Sequence, residues 1–182
     1  MDIMAHGLWT GALYSVINSK RKAKERIKIL PAVLWGIFPD VFAFTIPFAY
    51  MLFGLLFGFV KLSQFPNPSS VEPLSPALHA IFSLTSNLYS FSHSLIIFFA
   101  VIAIIYFITR KVYWSMGGWL LHILIDIPSH SYSFYPTPIF WPLSGWKFNG
   151  ISWSNPWFMV INYLALVIVY IWLWRTHKLK RK

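Results

Sequence analysis

Long apolar blocks separated by short basic clusters form the main pattern of this chain. A helix that crosses the hydrocarbon core of a membrane needs about 20 mostly apolar residues, and five blocks come close to that requirement. They cover roughly residues 3–19, 29–60, 91–109, 112–127 and 156–174. The second block is too long for one straight crossing and contains Pro39 and Pro47, so we expect a kink. The pattern predicts an all-α fold, a polytopic integral membrane helix bundle forming one domain over residues 1–182.

Two longer polar or aromatic segments separate these blocks. The stretch from Leu62 to Ser75 is rich in Pro and Ser and predicts a loop, with a short surface helix beginning near Pro76. Residues 129–154 are dense in Trp, Tyr, Phe and Pro, which suits an extramembrane loop at the membrane interface. Asn155 and Pro156 are typical of the N-cap and first position of the last helix.

Composition excludes a water-soluble fold. Hydrophobic residues make up 57% of the chain and charged residues only 11%, whereas soluble domains usually carry about 25% charged residues. Cysteine is absent, so any metal would need His and carboxylate ligands. Residues 1–19 lack the basic start of a cleavable signal peptide, and we expect them to belong to the mature fold.

The net charge of +10 comes from three clusters at the ends of apolar blocks: Lys20–Lys28, Arg110–Lys111 and Arg175–Lys182. Such clusters are typical of membrane topology signals. We therefore predict the lipid bilayer as partner and no specific nucleic acid. Only Lys61 and Lys147 lie outside them. The positive-inside rule predicts a multi-pass protein of the inner (cytoplasmic) membrane, with its N-terminus outside and its C-terminus in the cytoplasm.

Two acids lie inside apolar blocks without a basic partner in the same blocks. Asp40 and Asp126 would each cost roughly 2.5 to 3.5 kcal/mol if ionised at the centre of a membrane helix. The compensation could be protonation, hydroxyl or backbone donors, histidine, or a metal cation. The sequence therefore directs attention to what surrounds these two carboxyl groups.

Histidines fall at the same predicted depth as these acids. Counted from the nearest basic loop at 1.5 Å per helical residue, five side chains share a layer about 10 Å thick: His6, Asp40, His93, His122 and Asp126. His130 falls at the outer rim of that layer. A single buried histidine is more often a hydrogen-bonded side chain, but the shared layer favours one or two zinc-like divalent ions. Asp2 is either a partner that orients His6 or a helix N-cap.

Several motifs carry a family resemblance over about residues 5–145. They are His6-Gly7, Phe38-Pro39-Asp40, Phe91-Ser92-His93-Ser94-Leu95, Gly118-Trp119-Leu120-Leu121-His122-Ile123-Leu124-Ile125-Asp126 and Phe140-Trp141-Pro142-Leu143. In this order they resemble the membrane-bound metal-dependent hydrolases described as LexA-binding, inner-membrane-associated hydrolases. That family is in turn related to the all-helical phospholipase C and P1 nuclease group. The chain differs from the family pattern at Phe42, Leu88 and Tyr89.

The resemblance implies a zinc-type hydrolase acting on a phosphoester or lipid-like substrate. It implies Asp40 and Asp126 as catalytic residues and a set of metal ligands comprising His6, Asp40, His93, His122, Asp126 and His130. Two other classes fit the same residues: a small transporter with a His and Asp proton relay, and a non-catalytic metal- or haem-binding membrane protein. The aromatic loop from Tyr132 to Trp146 is expected to cover the site or admit a lipid.

Overall fold

The computed structural model describes residues 1–62, 79–133 and 135–179. Helix accounts for 72% of this part of the chain, and no strand occurs in it. The helices are α1 (Ile3–Ser19), α2 (Ile29–Leu56), α3 (His79–Ser92), α4 (Leu95–Thr109), α5 (Gly117–Ser129) and α6 (Pro156–Leu179), with 3-10 turns at Ala23–Glu25 and Trp114–Met116. The predicted loop at Leu62–Ser75 and the short helix near Pro76 fall almost entirely on residues 63–78, outside the described residues.

Two stretches are long and apolar enough to cross a membrane, Ala23–Leu56 and Pro156–Thr176. A third candidate is formed by α3 and α4 together, although these two helices are bent by 59° at their junction. The all-helical fold is therefore confirmed, and the described residues contain two or three candidate membrane-spanning helices, while the prediction of five spans stays a prediction.

Two predicted blocks differ from the helices at their starts. The block 91–109 is not continuous, because the chain leaves the helix at His93 and restarts at Leu95, where the Ser94 hydroxyl accepts hydrogen bonds from the first free backbone N–H groups of α4. The block 112–127 begins its α-helix only at Gly117. With 13 residues, α5 is about 20 Å long and shorter than the ~30 Å hydrocarbon core.

Helix α2 occupies the centre of the bundle, where it contacts α1, α3 and α5. Helices α1 and α6 run parallel, because the Tyr163 hydroxyl donates to Asp2 (2.8 Å) and the Tyr170 hydroxyl donates to the Leu8 carbonyl (2.9 Å). The C-terminal ends of α1 and α6 consequently lie at the same end of the bundle. The Tyr14 hydroxyl bonds the Trp114 carbonyl (2.5 Å) at that end.

Small residues allow α2 and α5 to touch through their backbones. A Cβ atom added to Gly118 would lie 2.9 Å from the Gly36 nitrogen and closer still to the Ala32 carbonyl oxygen. The acid of each helix lies on this contacting face, in a row of residues spaced four apart. The row is Ala32, Gly36 and Asp40 on α2, and Gly118, His122 and Asp126 on α5. This close crossing brings the two acids together, as small residues do in membrane helix pairs.

Candidate metal centre

Four buried side chains converge from three parts of the fold: Asp40 of α2, His93 at the junction of α3 and α4, and His122 and Asp126 of α5. One ligand atom from each lies within 4.8 Å of the others. These four residues form a cluster that could hold a metal ion.

The two imidazoles point the same nitrogen at the two acids. His122 Nε2 lies 3.2 Å from Asp126 Oδ2 and 3.6 Å from Asp40 Oδ1. His93 Nε2 lies 3.4 Å and 3.5 Å from the same two atoms. The two Nε2 atoms are themselves only 3.0 Å apart. The centre of the cluster is therefore surrounded by nitrogen and carboxylate oxygen.

Backbone carbonyls determine which ring nitrogen carries the proton. His122 Nδ1 lies 2.7 Å from the Gly36 carbonyl oxygen, and His93 Nδ1 lies 3.1 Å from the Tyr89 carbonyl oxygen. A carbonyl only accepts, so each Nδ1 must be the N–H donor. The Ser92 hydroxyl supports this arrangement, since it can accept from His93 Nδ1 (2.9 Å) while donating to the Pro39 carbonyl (3.2 Å).

In the neutral rings, both Nε2 lone pairs then face each other and two carboxylates. Such an arrangement is repulsive unless a proton or a cation lies between the groups. Asp40 Oδ2 and Asp126 Oδ2 also make no hydrogen bond within the described part of the chain, and neither acid is paired there with Lys or Arg. Buried polar atoms without partners are costly, and a divalent ion with N and O ligands would satisfy them.

The remaining two predicted ligands lie on the other side of Asp126. His6 Nε2 is 2.9 Å and His130 Nε2 is 3.3 Å from Asp126 Oδ1, which the amino group of Met1 also contacts. His6 Nε2 and Asp126 Oδ1 are close, but the two groups are not oriented to form a hydrogen bond. The His6 ring stacks on His122 with centroids 3.6 Å apart. The four predicted histidine ligands thus all lie within 3.4 Å of Asp126, which they contact through both of its oxygens.

His130 follows the last residue of α5 and is oriented in the same way as the other two rings. Its Nδ1 lies 2.8 Å from the Tyr135 carbonyl oxygen, and its Nε2 faces Asp126 Oδ1 (3.3 Å) and the amino group of Met1 (2.9 Å). Burial lowers the pKa of His130, and the nearby carboxylate of Asp126 opposes this effect. Burial therefore favours the neutral ring that a metal ligand requires.

Sequence reasoning missed the residues that support the ligands. Tyr89 stacks on His93 with ring centroids 3.7 Å apart, and its hydroxyl lies 3.4 Å from His130 Nδ1. Its position four residues before His93 on the same helical face was the available signal. Asp2 caps α1 by accepting from the Ala5 N–H (3.0 Å), so the N-cap interpretation is the one observed.

The aromatic loop packs beside the site. Its Tyr135 contacts Tyr89 and Phe44 with ring centroids 5.2 and 5.3 Å apart. Its Ile139 carbonyl accepts from the Leu95 N–H (3.0 Å), and its Trp141 carbonyl accepts from the Ser94 hydroxyl (2.5 Å). The loop is therefore attached to the helix break that presents His93.

The cluster has the donor set of a metal centre, and the amino group of Met1 contacts one of its two carboxylates. Comparisons with family models, curated proteins and solved structures find no match to this chain. Its functional interpretation accordingly rests on the geometry of the site and on the motifs in its sequence.

Proposed function

We propose that the protein is a metal-dependent membrane hydrolase that acts on a phosphoester or lipid-like substrate. One or two zinc-like ions would be held by the six residues His6, Asp40, His93, His122, Asp126 and His130. The observation that carries the proposal is the convergence of the Nε2 atoms of His93 and His122, 3.0 Å apart, on two buried carboxylates that have no Lys or Arg partner among the described residues.

A zinc-like ion bound here would supply a Lewis acid that polarises the scissile group and makes water acidic enough to ionise near neutral pH. The protein's own groups supply orientation and a base. Asp40 Oδ2 makes no hydrogen bond with any residue that the structure describes, and Asp40 also lines the cavity beside the cluster. It is therefore placed to accept a proton from an attacking water. Asp126 contacts the four surrounding histidines through both of its oxygens and thereby orients their rings.

Metal analysis of the purified full-length protein tests the site directly. We expect zinc or manganese in the wild type and loss of bound metal in His122→Ala and in Asp126→Ala. Asn162→Ala is a matched control, because Asn162 is a buried polar residue between α6 and α1. Circular dichroism and size-exclusion chromatography in detergent report whether each variant folds.

Full metal retention by both folded ligand variants would refute the assignment. A metal-free wild type with a Soret absorption band would instead indicate haem, and a metal-free wild type with ion flux in liposomes would indicate a transporter. Asp40→Asn tests the base: we expect it to bind the phosphodiester bis(p-nitrophenyl) phosphate and to lose hydrolysis of it. Unchanged hydrolysis by Asp40→Asn would remove Asp40 from the mechanism.

We further propose five membrane crossings in the inner membrane, with the N-terminus outside and the C-terminus in the cytoplasm. The parallel packing of α1 and α6 supports this, because it places the Lys20–Lys28 cluster and Arg175 at the same end of the bundle. The chain has no cysteine, so single variants can be labelled cleanly. An impermeant maleimide should label Lys61→Cys and Lys147→Cys in intact cells, and Lys24→Cys only after permeabilisation. Labelling of Lys24→Cys in intact cells would contradict this topology.

A further inference from the structure

A cavity of about 380 Å³ adjoins the metal centre. Its polar lining includes Asp40, which belongs to the cluster, and His130, which contacts Asp126 of the cluster, together with Asp2 and Thr85. Most of the remaining wall is apolar and includes Phe44 and Met51 of α2. The volume falls in the range of ligand sites, and such sites commonly combine an apolar wall with a few polar groups.

One face of α2 forms the long wall of this cavity. Asp40, Phe44, Pro47, Phe48 and Met51 all line it, and their spacing of three and four residues places them along one side of the helix. At 1.5 Å per residue, the stripe runs about 16 Å from Asp40 to Met51. It therefore offers an extended apolar path that begins at a carboxylate of the metal cluster.

The cavity is also accessible from the apolar outer surface. Met4 and Phe48, which line it, are 75% and 49% exposed. Side chains near Phe48 on α2, including Leu52, are exposed as well. Since α2 belongs to a candidate membrane-spanning segment, these exposed side chains would contact acyl chains of the bilayer.

We propose that this cavity binds an acyl chain of a bilayer lipid and thereby presents the ester or phosphoester group of that lipid to the metal centre. The inference rests on the proposed hydrolase function, whose substrate it specifies. The acyl chain lies along Phe44, Phe48 and Met51, and the polar group of the lipid lies beside Asp40 and His130. The lipid enters sideways from the bilayer, so its acyl chain never has to leave an apolar environment.

Photo-crosslinking of the full-length protein tests this proposal. The probe is phosphatidylglycerol with a diazirine in the middle of one acyl chain, incorporated into nanodiscs, and the crosslinks are mapped by mass spectrometry. We expect labels to concentrate on residues 44–51. Phe44→Trp should reduce this labelling about tenfold, because displacing two methylene groups from an apolar site costs roughly that factor. Phe48→Trp is a second variant, for use if Phe44→Trp does not fold. Phe48 lies at the half-exposed rim of the cavity, where a larger ring is tolerated.

Phe53→Trp is the matched control, since Phe53 lies on the same helix, is 57% exposed and does not line the cavity. It should leave the labelling unchanged. Labels spread evenly over all lipid-facing helices, or equal labelling in Phe48→Trp and Phe53→Trp, would overturn the proposal. Metal content is measured on the same samples. Cavity labelling in a protein that binds no metal would also overturn the substrate role, whereas bound metal without cavity labelling would leave the hydrolase proposal in place.

Discussion

Replacing Gly118 by alanine should weaken metal binding without changing any ligand. Gly118 lies where the backbones of α2 and α5 touch, and an added Cβ would meet the Ala32 carbonyl oxygen and the Gly36 nitrogen. Both obstacles are backbone atoms, so no side chain can rotate away. The two helices must therefore separate.

The size of the separation determines the effect. Ordinary van der Waals contacts of a Cβ begin at 3.4 Å, so α5 must move away from Ala32 by roughly 1 Å or more. His122 lies one turn beyond Gly118, and its Nδ1 is 2.7 Å from the Gly36 carbonyl oxygen. A shift of that size would bring this hydrogen bond beyond its normal range. Loss of such an orienting contact costs about 10- to 100-fold in metal affinity, and overpacking costs about 1 to 3 kcal/mol in stability.

Zinc competition with a chromophoric chelator, performed in detergent, measures the affinity, and thermal unfolding measures the stability. Gly145→Ala is the control, because a Cβ at Gly145 meets no atom within 4 Å. It should match the wild type in both measurements. A folded Gly118→Ala protein with wild-type zinc affinity would show that the helix crossing does not position the ligands, and the reasoning would fail.

Three further variants test the supporting contacts. Ser92→Ala removes the hydroxyl beside His93 Nδ1 and should lower zinc affinity about tenfold in the same chelator assay; unchanged affinity would assign the orientation of His93 to the Tyr89 carbonyl alone. Tyr89→Phe keeps the ring that stacks on His93 and removes only a hydroxyl 3.4 Å from His130 Nδ1. Since this contact is long for a hydrogen bond, we expect less than a threefold change in zinc affinity. A larger loss would show that the Tyr89 hydroxyl contributes more than a weak hydrogen bond to His130. Trp9→Phe removes the 2.8 Å hydrogen bond to Asn162 and should cost about 1 kcal/mol in unfolding free energy with no change in metal content.

The sequence predicted the parts of the fold that depend on hydrophobic pattern. The bounds of α1 agree with the first apolar block, and α6 begins at Pro156 as its Asn155-Pro156 start indicated, with Asn155 accepting from the Trp157 N–H (3.0 Å). The shared depth of the acids and histidines was also visible, because a helix converts sequence distance into height at a fixed rise. Height along separate helices predicted a shared layer, and the crossing of α2 and α5 brings its acids together within that layer.

The rest depends on contacts that the pattern of apolar residues does not contain. The break at His93 and Ser94 lies near the start of the predicted block 91–109, and it is stabilised by bonds to Ile139 and Trp141 more than 40 residues away. The crossing at Gly36 and Gly118 depends on small residues, which a hydropathy average treats as neutral. The available signal was the small residues Gly36 and Ala32, one and two turns before Asp40, and Gly118, two turns before Asp126.

Main-chain carbonyls explain how a site rich in histidine can be built where polar side chains are scarce. Three of the four imidazoles place their Nδ1–H beside such a carbonyl, that of Gly36, Tyr89 or Tyr135. A carbonyl oxygen has two lone pairs, so the Tyr89 carbonyl can accept from His93 Nδ1 as well as from the His93 N–H (2.9 Å) at the end of α3. The Gly36 carbonyl meets His122 at the close crossing of α2 and α5, and the Tyr135 carbonyl lies in the aromatic loop. The crossing, the helix break and the loop each present one carbonyl to the candidate metal centre, so disrupting any of them should release the histidine that it orients.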